Sequence, residues 1–207
     1  MKKIVLASNN PGKVREINQL IAPLDIEVVA QSEFGVVEVE ETGLTFVENS
    51  ILKARNAAKH TGLPALADDS GIEVDALKGA PGIYSARFAG VGASDSDNLD
   101  KLLNELKALE TAGDNVTRTA RFQCLMVLMR HEYDPTPLIC QGSWEGEIID
   151  TPQGDNGFGY DPIFYVPSEN CTSAQLPADK KNALSHRGKA LQCLIDKLAR
   201  QTGIEHI

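Results

Sequence analysis

The sequence has few cysteines and no long apolar run, and each absence excludes a class of protein. The cysteines Cys124, Cys140, Cys171 and Cys193 include no CxxC pair, which argues against a zinc site and a disulfide framework. We interpret them as reduced thiols. The first apolar run stops at Ala7 and no 18-residue apolar stretch occurs. Neither a signal peptide nor a membrane span is predicted, and the expected location is the cytoplasm.

Positive charge is also scarce. Lys and Arg total 20 against 29 Asp and Glu, which gives a net charge of −9. A surface of this sign repels phosphate backbones, so duplex DNA or RNA is not an expected partner. A small polyphosphate remains compatible, because a few converging cations and a divalent metal ion can neutralise the carboxylates that face it.

Length and patterning predict one α/β domain. A chain of 207 residues can bury roughly 70% of its unfolded surface, and no internal repeat or long linker divides it, so residues 1–207 are predicted to form a single domain. Apolar periodicity predicts both strands and helices around a mixed sheet. The predicted strands cover residues 3–7, 26–30, 65–67, 72–77, 118–130, 137–141 and 144–149, and the clearest helical patterns cover residues 45–62, 99–109 and 190–198.

A polar loop follows the first predicted strand and opens a helix. Free backbone N–H groups and the positive end of the helix dipole attract an anion at such a place. The loop lacks the first glycine and the hydroxyl residue of a Walker P-loop. A simple helix cap with an exposed lysine is the alternative. The loop consists of Ser8, Asn9, Asn10, Pro11, Gly12 and Lys13.

Carboxylates form a second group of candidates. Glu38, Glu40 and Glu41 precede the second helix, and Asp68 and Asp69 occupy what we interpret as a sharp polar turn between two strands. One or two carboxylates from separate loops, together with substrate phosphates, suit Mg²⁺. The alternatives are a solvated charge run for the glutamates and a plain turn for the aspartates.

Three further groups each allow two interpretations. Lys53 lies just over two turns into the second helix, where it either faces the same site or solvent. The aromatics of residues 158–161 either stack on a base or anchor a loop in the core. His186 and Arg187, with Lys181 one short turn earlier, place donors near the start of the last helix.

Taken together, the motifs resemble a known family. The segments SNNPGK, ETGLTFVENSILKA, ADDSG, GAPGIYSARF, GFGYDPIF and ALSHRG follow one another in an order that closely resembles the inosine triphosphate pyrophosphatase family, whose members remove XTP, ITP and dITP from the nucleotide pool. The resemblance covers residues 3–198. It implies an elongated α/β fold with a long mixed sheet, two lobes around an active-site cleft, usually a homodimer, and Mg²⁺-dependent release of pyrophosphate and a nucleoside monophosphate.

The resemblance also implies a role for the phosphate-end residues. Ser8, Asn10 and Lys13 contact the triphosphate with help from Lys53, and Asn9, Pro11 and Gly12 complete their loop. Asp69 is the expected proton acceptor, with Asp68 beside it and Ser70 touching the substrate. The expected metal ligands are Asp69 and Glu41, with Glu40 as the alternative to Glu41.

The remaining matches concern the base. Phe158, Gly159, Tyr160 and Asp161 match the segment that stacks on the purine and reads it, and Lys181, His186 and Arg187 match base and phosphate contacts. A site that hydrogen-bonds a 6-oxo purine rejects adenine, whose amino group presents a donor to a donor. The alternatives are a pyrophosphatase for pyrimidine or modified nucleotides, and a nucleotide-sensing module without turnover.

Overall fold

A computed structural model describes residues 2–9, 11–113 and 116–202. In this part strands and helices alternate over the first half of the chain, four strands then follow in succession, and two helices come after them. The strands are β1 (Lys2–Leu6), β2 (Ile26–Ala30), β3 (Ala65–Val74), β4 (Thr119–Met129), β5 (Leu138–Ile148), β6 (Phe164–Val166) and β7 (Cys171–Thr172). The helices are α1 (Pro11–Ile21), α2 (Phe46–Thr61), α3 (Asp95–Thr111), α4 (Ala178–Leu184) and α5 (His186–Thr202).

The strands form one mixed sheet in the order β2-β1-β3-β4-β5-β6-β7. β1 pairs in parallel with β2 and β3, whereas β6 pairs antiparallel with β5 and β7. Helices flank this sheet, which confirms the predicted α/β class. The predicted elongated shape, the cleft and the single-domain organisation stay predictions.

Two of the predicted turns are wrong. The acidic segment of residues 68–71 lies inside β3, which continues to Val74, and residues 142–143 lie inside β5. Polar and glycine residues in short runs are typical of turns. In β3, however, the aspartates form ion pairs with lysines from two helices, so the strand can carry two charges in succession.

The chain forms two compact units. The first comprises residues 1–69, 124–142 and 189–207, and the second comprises residues 70–123 and 143–188. Strands β3, β4 and β5 each contribute residues to both units. Neither unit is therefore a continuous stretch of sequence.

The first unit is a sheet covered on both faces. Side chains alternate along β1, so that Ile4 and Leu6 pack in one apolar cluster with α1 and α5, while Val5 packs in another with α2. The second face uses small residues, Ala54 and Ala57 among them, which let α2 approach the strands closely. The burial of both faces explains why these strands read as short continuous apolar runs.

The second unit has one apolar core that joins α3 to the sheet. Leu99, Leu102 and Leu106 from α3 pack with Phe122 from β4 and Phe164 from β6. The helix begins with a capping box, in which the Ser94 side chain accepts from the Asp97 N–H and Asp97 accepts from the Ser94 N–H. The leucine spacing seen in the sequence is therefore a core face, as predicted.

The loop between β4 and β5 is held by a buried carboxylate. Asp134 accepts hydrogen bonds from the backbone N–H of Arg130 at 2.9 Å, from its Nε at 2.8 Å and from the Thr136 N–H at 3.0 Å. These bonds favour the ionised form, and the Arg130 hydrogen bond is the main reason why the pKa of Asp134 lies well below its ordinary value.

We expect Asp134→Asn to lower the free energy of unfolding by about 2 kcal/mol at pH 7, as for loss of charge-assisted hydrogen bonds. Because the folded pKa lies below the unfolded value of about 3.9, this stabilisation is complete above that value and is lost as the pH falls toward the folded pKa. Urea unfolding of both proteins between pH 7 and pH 3 measures it. A difference that stays constant over this range contradicts the prediction.

Candidate active site

The carboxyl ends of β1 and β2 lie beside the first half of β3 in the first unit. Leu6 lies opposite Ala30 in β2 and opposite Leu66 in β3. The residues just beyond these positions, Ser8, Gln31 and Asp68, line a cavity of about 330 Å³. Ligands of open α/β sheets commonly bind outside the carboxyl ends of the strands, so this cavity is the candidate active site.

The first ion pair at the cavity joins α1 to β3. Lys13 Nζ donates to both carboxylate oxygens of Asp68 at 2.8 Å. The Asp68 side chain is only 5% exposed, whereas that of Lys13 is 25% exposed. The lysine thus neutralises a buried carboxylate and retains a surface that faces the cavity.

The second group joins α2, β3 and the loop before α2. Lys53 Nζ lies 2.9 Å from Glu41 Oε1 and 3.1 Å from Asp69 Oδ1. Asp68 and Asp69 are consecutive in β3, so their side chains point to opposite faces of the sheet, one toward α1 and the other toward α2. The strand therefore presents one carboxylate to each lysine, and Lys53 faces the site rather than solvent.

Burial and charge shift the titration of this group. Burial raises the pKa of Asp69, and the Glu41 carboxylate raises it further, while Lys53 and an Asn49 hydrogen bond oppose the shift. Burial by itself lowers the pKa of Lys53, but the Asp69 and Glu41 carboxylates outweigh it, and the net pKa lies above its ordinary value. Lys53 is therefore a cation, and Asp69 is a stronger base than an exposed aspartate.

Asn49 connects the segments that carry the acidic residues. The sequence analysis did not predict this role. This buried side chain donates to Asp69 Oδ2 at 3.3 Å and accepts from the Gly43 N–H at 2.8 Å. It thereby ties the loop that carries Glu41 to the strand that carries Asp69. A side chain at Gly43 is excluded, because its Cβ lies 2.7 Å from the Asn49 amide oxygen. Thr45 caps α2 by accepting from the Glu48 N–H at 3.3 Å, and its hydroxyl donates to Glu48 Oε2 at 2.8 Å.

The second unit brings together the aromatic loop and a lysine. Asp161 is buried and accepts from the Phe158 N–H at 2.8 Å, from Ser173 Oγ at 2.7 Å and from Lys181 Nζ. Phe158 itself is 66% exposed, and Lys181 Nζ lies 5.6 Å from its ring centroid. Asp161 thus holds the loop and the lysine in place, and Phe158 is the ring that is open to a ligand.

Tyr160 and Gly159 anchor the same loop. Tyr160 is buried and its hydroxyl donates to the Ser85 carbonyl at 2.9 Å, and burial raises its pKa above the ordinary value. The Gly159 N–H donates to Asp95 Oδ2 at 2.7 Å. Of the two aromatics weighed for base stacking, Tyr160 is thus a core anchor.

Further candidates of the second unit lie around the start of α5. Arg187 Nη2 donates to Ser70 Oγ at 3.4 Å, and the His186 ring stacks on Phe122 with centroids 4.9 Å apart. Ser185 caps the helix by accepting from the Gly188 N–H at 3.1 Å. Two donors of the sequence motif, His186 and Arg187, are thereby fixed in orientation.

The structure locates the other predicted residues less completely. Asn10 lies outside the described residues, and Pro11 and Gly12 form the first positions of α1. Asn9 donates to Glu38 at 2.9 Å. Glu40 is exposed, whereas Glu41 contacts Lys53.

Two properties of the described part bear on function. It contains no group of three or more His, Cys, Asp or Glu arranged to hold a metal ion. None of its helices is long and apolar enough to cross a membrane.

Comparison with known proteins assigns this mixed-sheet α/β chain to a family. Residues 4–197 match the Ham1 family. A dITP/XTP pyrophosphatase of Vibrio parahaemolyticus is 61% identical over 98% of this chain and 99% of its own length. The structure of a HAM1 protein from Coxiella burnetii is 55% identical with a TM-score of 0.92, covering 97% of this chain and 100% of that one. The Staphylococcus aureus Ham1 protein is 46% identical with a TM-score of 0.87 and the same coverage.

The chain belongs to the Ham1 family. The resemblance drawn from the six sequence segments is thereby confirmed.

Proposed function

We propose that this protein hydrolyses non-standard purine nucleoside triphosphates, dITP, ITP and XTP, to the nucleoside monophosphate and pyrophosphate. The observation that carries the proposal is the cavity beyond the carboxyl ends of β1 and β2, which is lined by Lys13, Lys53, Glu41 and Asp68. Relatives that match 97% and 98% of the chain and are named dITP/XTP pyrophosphatases support the substrate class. Such an activity keeps these nucleotides out of DNA and RNA.

Lys13 and Lys53 bind the triphosphate in this proposal. Both residues line the cavity, and their ammonium groups neutralise phosphate oxygens as charge develops on the pyrophosphate leaving group. Asp69 orients or deprotonates the water that attacks the α-phosphorus. Its raised pKa makes it a better proton acceptor than an exposed aspartate.

Mg²⁺ fits the carboxylates of the first unit. Glu41 and Asp69 both lie within 3.1 Å of the same Lys53 nitrogen, so oxygens from two segments converge. Mg²⁺ commonly takes one or two protein carboxylates together with substrate phosphates. Glu41 and Asp69 would hold the ion, and its contribution when bound is to neutralise phosphate charge.

The second unit supplies groups suited to a purine, and we propose that the base of the same substrate engages them. Phe158 offers an exposed ring for stacking. Lys181, held by Asp161, carries only donors and so suits the 6-oxo group of hypoxanthine or xanthine. The amino group of adenine is itself a donor, so it forms no hydrogen bond with Lys181 and loses its bond to water on binding.

A substitution at Gly157 tests the proposed role of the loop that carries Phe158 and Asp161. Its φ is +82°, and a Cβ would lie 2.1 Å from Asp161 Oδ2, so Gly157→Ala displaces the carboxylate that holds Lys181. We expect the KM for dITP to rise about tenfold or more through misplacement of the base contacts. Gly159→Ala is the matched control, because Gly159 also has a positive φ of +61° but no atom within 4 Å of its Cβ. Equal KM values for the two variants contradict the prediction.

The activity is tested with a substrate panel. The protein is incubated with dITP, XTP, ATP and GTP plus Mg²⁺, and the phosphate products are identified. The proposal predicts pyrophosphate and monophosphate from dITP and XTP with little turnover of ATP. Orthophosphate with a diphosphate, or equal turnover of ATP, contradicts it.

We further propose that residues 1–207 act as one domain, that two copies form a homodimer, and that the enzyme works in the cytoplasm, where nucleoside triphosphates supply polymerases. The resemblance to the family supports the dimer, and sedimentation of the purified protein tests it. The net charge of −9 supports a small nucleotide rather than a nucleic acid as the partner.

A further inference from the structure

Gln31 occupies a position at the cavity that the sequence did not single out. It directly follows β2, and its backbone carbonyl accepts from the Val36 N–H at 3.3 Å. The residue is only 3% exposed, yet it lines the same cavity as Lys13 and Lys53. A buried glutamine at the end of a strand is thus placed beside the proposed phosphate-binding lysines.

The side-chain amide of Gln31 has no protein partner in the described part of the chain. Among residues 2–9, 11–113 and 116–202, no group forms a hydrogen bond with this amide. In the same part of the chain, the side-chain atoms that are inaccessible to solvent and have no hydrogen-bond partner do not include the Gln31 amide. The small exposed part of Gln31 therefore includes its amide, and Gln31 is one of the residues that line the cavity.

An amide in this state calls for a ligand. Buried polar side chains in folded proteins are almost always hydrogen-bonded, and an unsatisfied one is costly. Asn98 shows the usual arrangement: it is 2% exposed, and its amide accepts from the Ala89 N–H at 2.7 Å and donates to the Ala86 carbonyl at 3.3 Å. Gln31 differs from Asn98 in that it lines a cavity and its amide bonds to no described protein group.

We infer that the Gln31 side-chain amide is a substrate contact, whose NH₂ group donates a hydrogen bond to an oxygen of the triphosphate. The inference rests on the proposed function for the identity of the ligand. Lys13 and Lys53 already supply positive charge to the cavity. A neutral donor orients the phosphate through a directional hydrogen bond and adds no further charge. It also needs no counterion in the ligand-free protein.

Gln31→Met is the decisive variant, because it removes donor and acceptor with little change in volume. Binding is measured by calorimetry with two probes in the presence of Mg²⁺: α,β-methylene-dITP, which cannot be cleaved at the scissile position, and inorganic tripolyphosphate, which has no base. We expect both dissociation constants to rise about tenfold or more, as for loss of a hydrogen bond to a charged group. The melting temperature of the ligand-free protein is not expected to fall, because the substitution removes no hydrogen bond between the amide and a described protein group.

Asn98→Leu is the matched control. It removes a buried amide whose bonds are satisfied within the protein, so it lowers the melting temperature and leaves both dissociation constants unchanged. The inference is overturned by dissociation constants of Gln31→Met within about twofold of wild type. It is also overturned if weaker binding comes only with a loss of melting temperature as large as that of Asn98→Leu.

The two probes separate this inference from the proposed function. Failure of the wild-type protein to release pyrophosphate from dITP contradicts the proposed function, and the tripolyphosphate comparison between wild type and Gln31→Met still decides the role of Gln31. A wild-type protein that binds no tripolyphosphate overturns the inference directly.

Discussion

Asp69→Asn is expected to lower kcat for dITP by about 10³-fold, within the range that a positioned general base contributes. The amide keeps the shape of the side chain and an oxygen that can accept from Lys53, which lies 3.1 Å away, but it cannot take a proton from water. Affinity for α,β-methylene-dITP at saturating Mg²⁺ is expected to change only a few-fold. Steady-state kinetics and calorimetry on the same preparation measure the two effects.

Asp75→Asn is the control for this variant. Asp75 is exposed and pairs with Arg121 at 2.7 Å in the second unit. Its substitution also removes one carboxylate, but kcat is expected to stay unchanged because Asp75 has no part in the proposed site. If Asp69→Asn retains more than a tenth of the wild-type kcat, Asp69 is not the proton acceptor. If the wild-type protein binds the analogue yet releases no pyrophosphate from dITP, it is a nucleotide sensor rather than a pyrophosphatase.

Lys13→Met is expected to impair both binding and folding. The buried Asp68 carboxylate loses the ammonium group that contacts both its oxygens, which we expect to cost about 2 kcal/mol of unfolding free energy, somewhat less than a fully buried pair because Lys13 is partly exposed. The affinity for tripolyphosphate is expected to fall about 100-fold through loss of a cation that donates a charge-assisted hydrogen bond to a phosphate oxygen.

The double variant Lys13→Met/Asp68→Asn separates the two effects. Removing the carboxylate charge restores most of the stability, because no buried carboxylate is then left without its ammonium group. It does not restore tripolyphosphate binding, since the cation is still missing. Recovery of both properties in the double variant contradicts a phosphate-binding role for Lys13 and indicates a purely structural ion pair.

Local patterns in the sequence predict the layers of this fold but not the length of its strands. Alternating and periodic apolar residues locate β1, β2 and the core faces of α2, α3 and α5. The acidic residues of β3 look like a turn because polar runs are typical of turns. In the strand these two aspartates pair with Lys13 and Lys53 on opposite faces, and these contacts, between residues 55 and 16 positions apart, are invisible to a local pattern.

Some residues of the candidate site can likewise be predicted from the sequence, and others cannot. Charged residues in recognisable motifs, such as Lys53, Asp69 and Lys181, can be found in the sequence because their residue types already suggest the chemistry. Asn49 and Gln31 cannot, because an amide gains its role only from what it contacts. Gly157 is intermediate, since a glycine in a loop is common and only the closeness of Asp161 Oδ2 makes it obligatory.

Each of the two units is built from separate segments of the sequence, and this affects how the gene can recombine. The first unit draws on three stretches of sequence and the second on two, so one crossover within the gene cannot exchange either unit whole. Recombination between diverged copies would instead mix mismatched halves of the same strands. The groups proposed to bind phosphate and those proposed to select the base are therefore expected to diverge together, by point substitution rather than by shuffling.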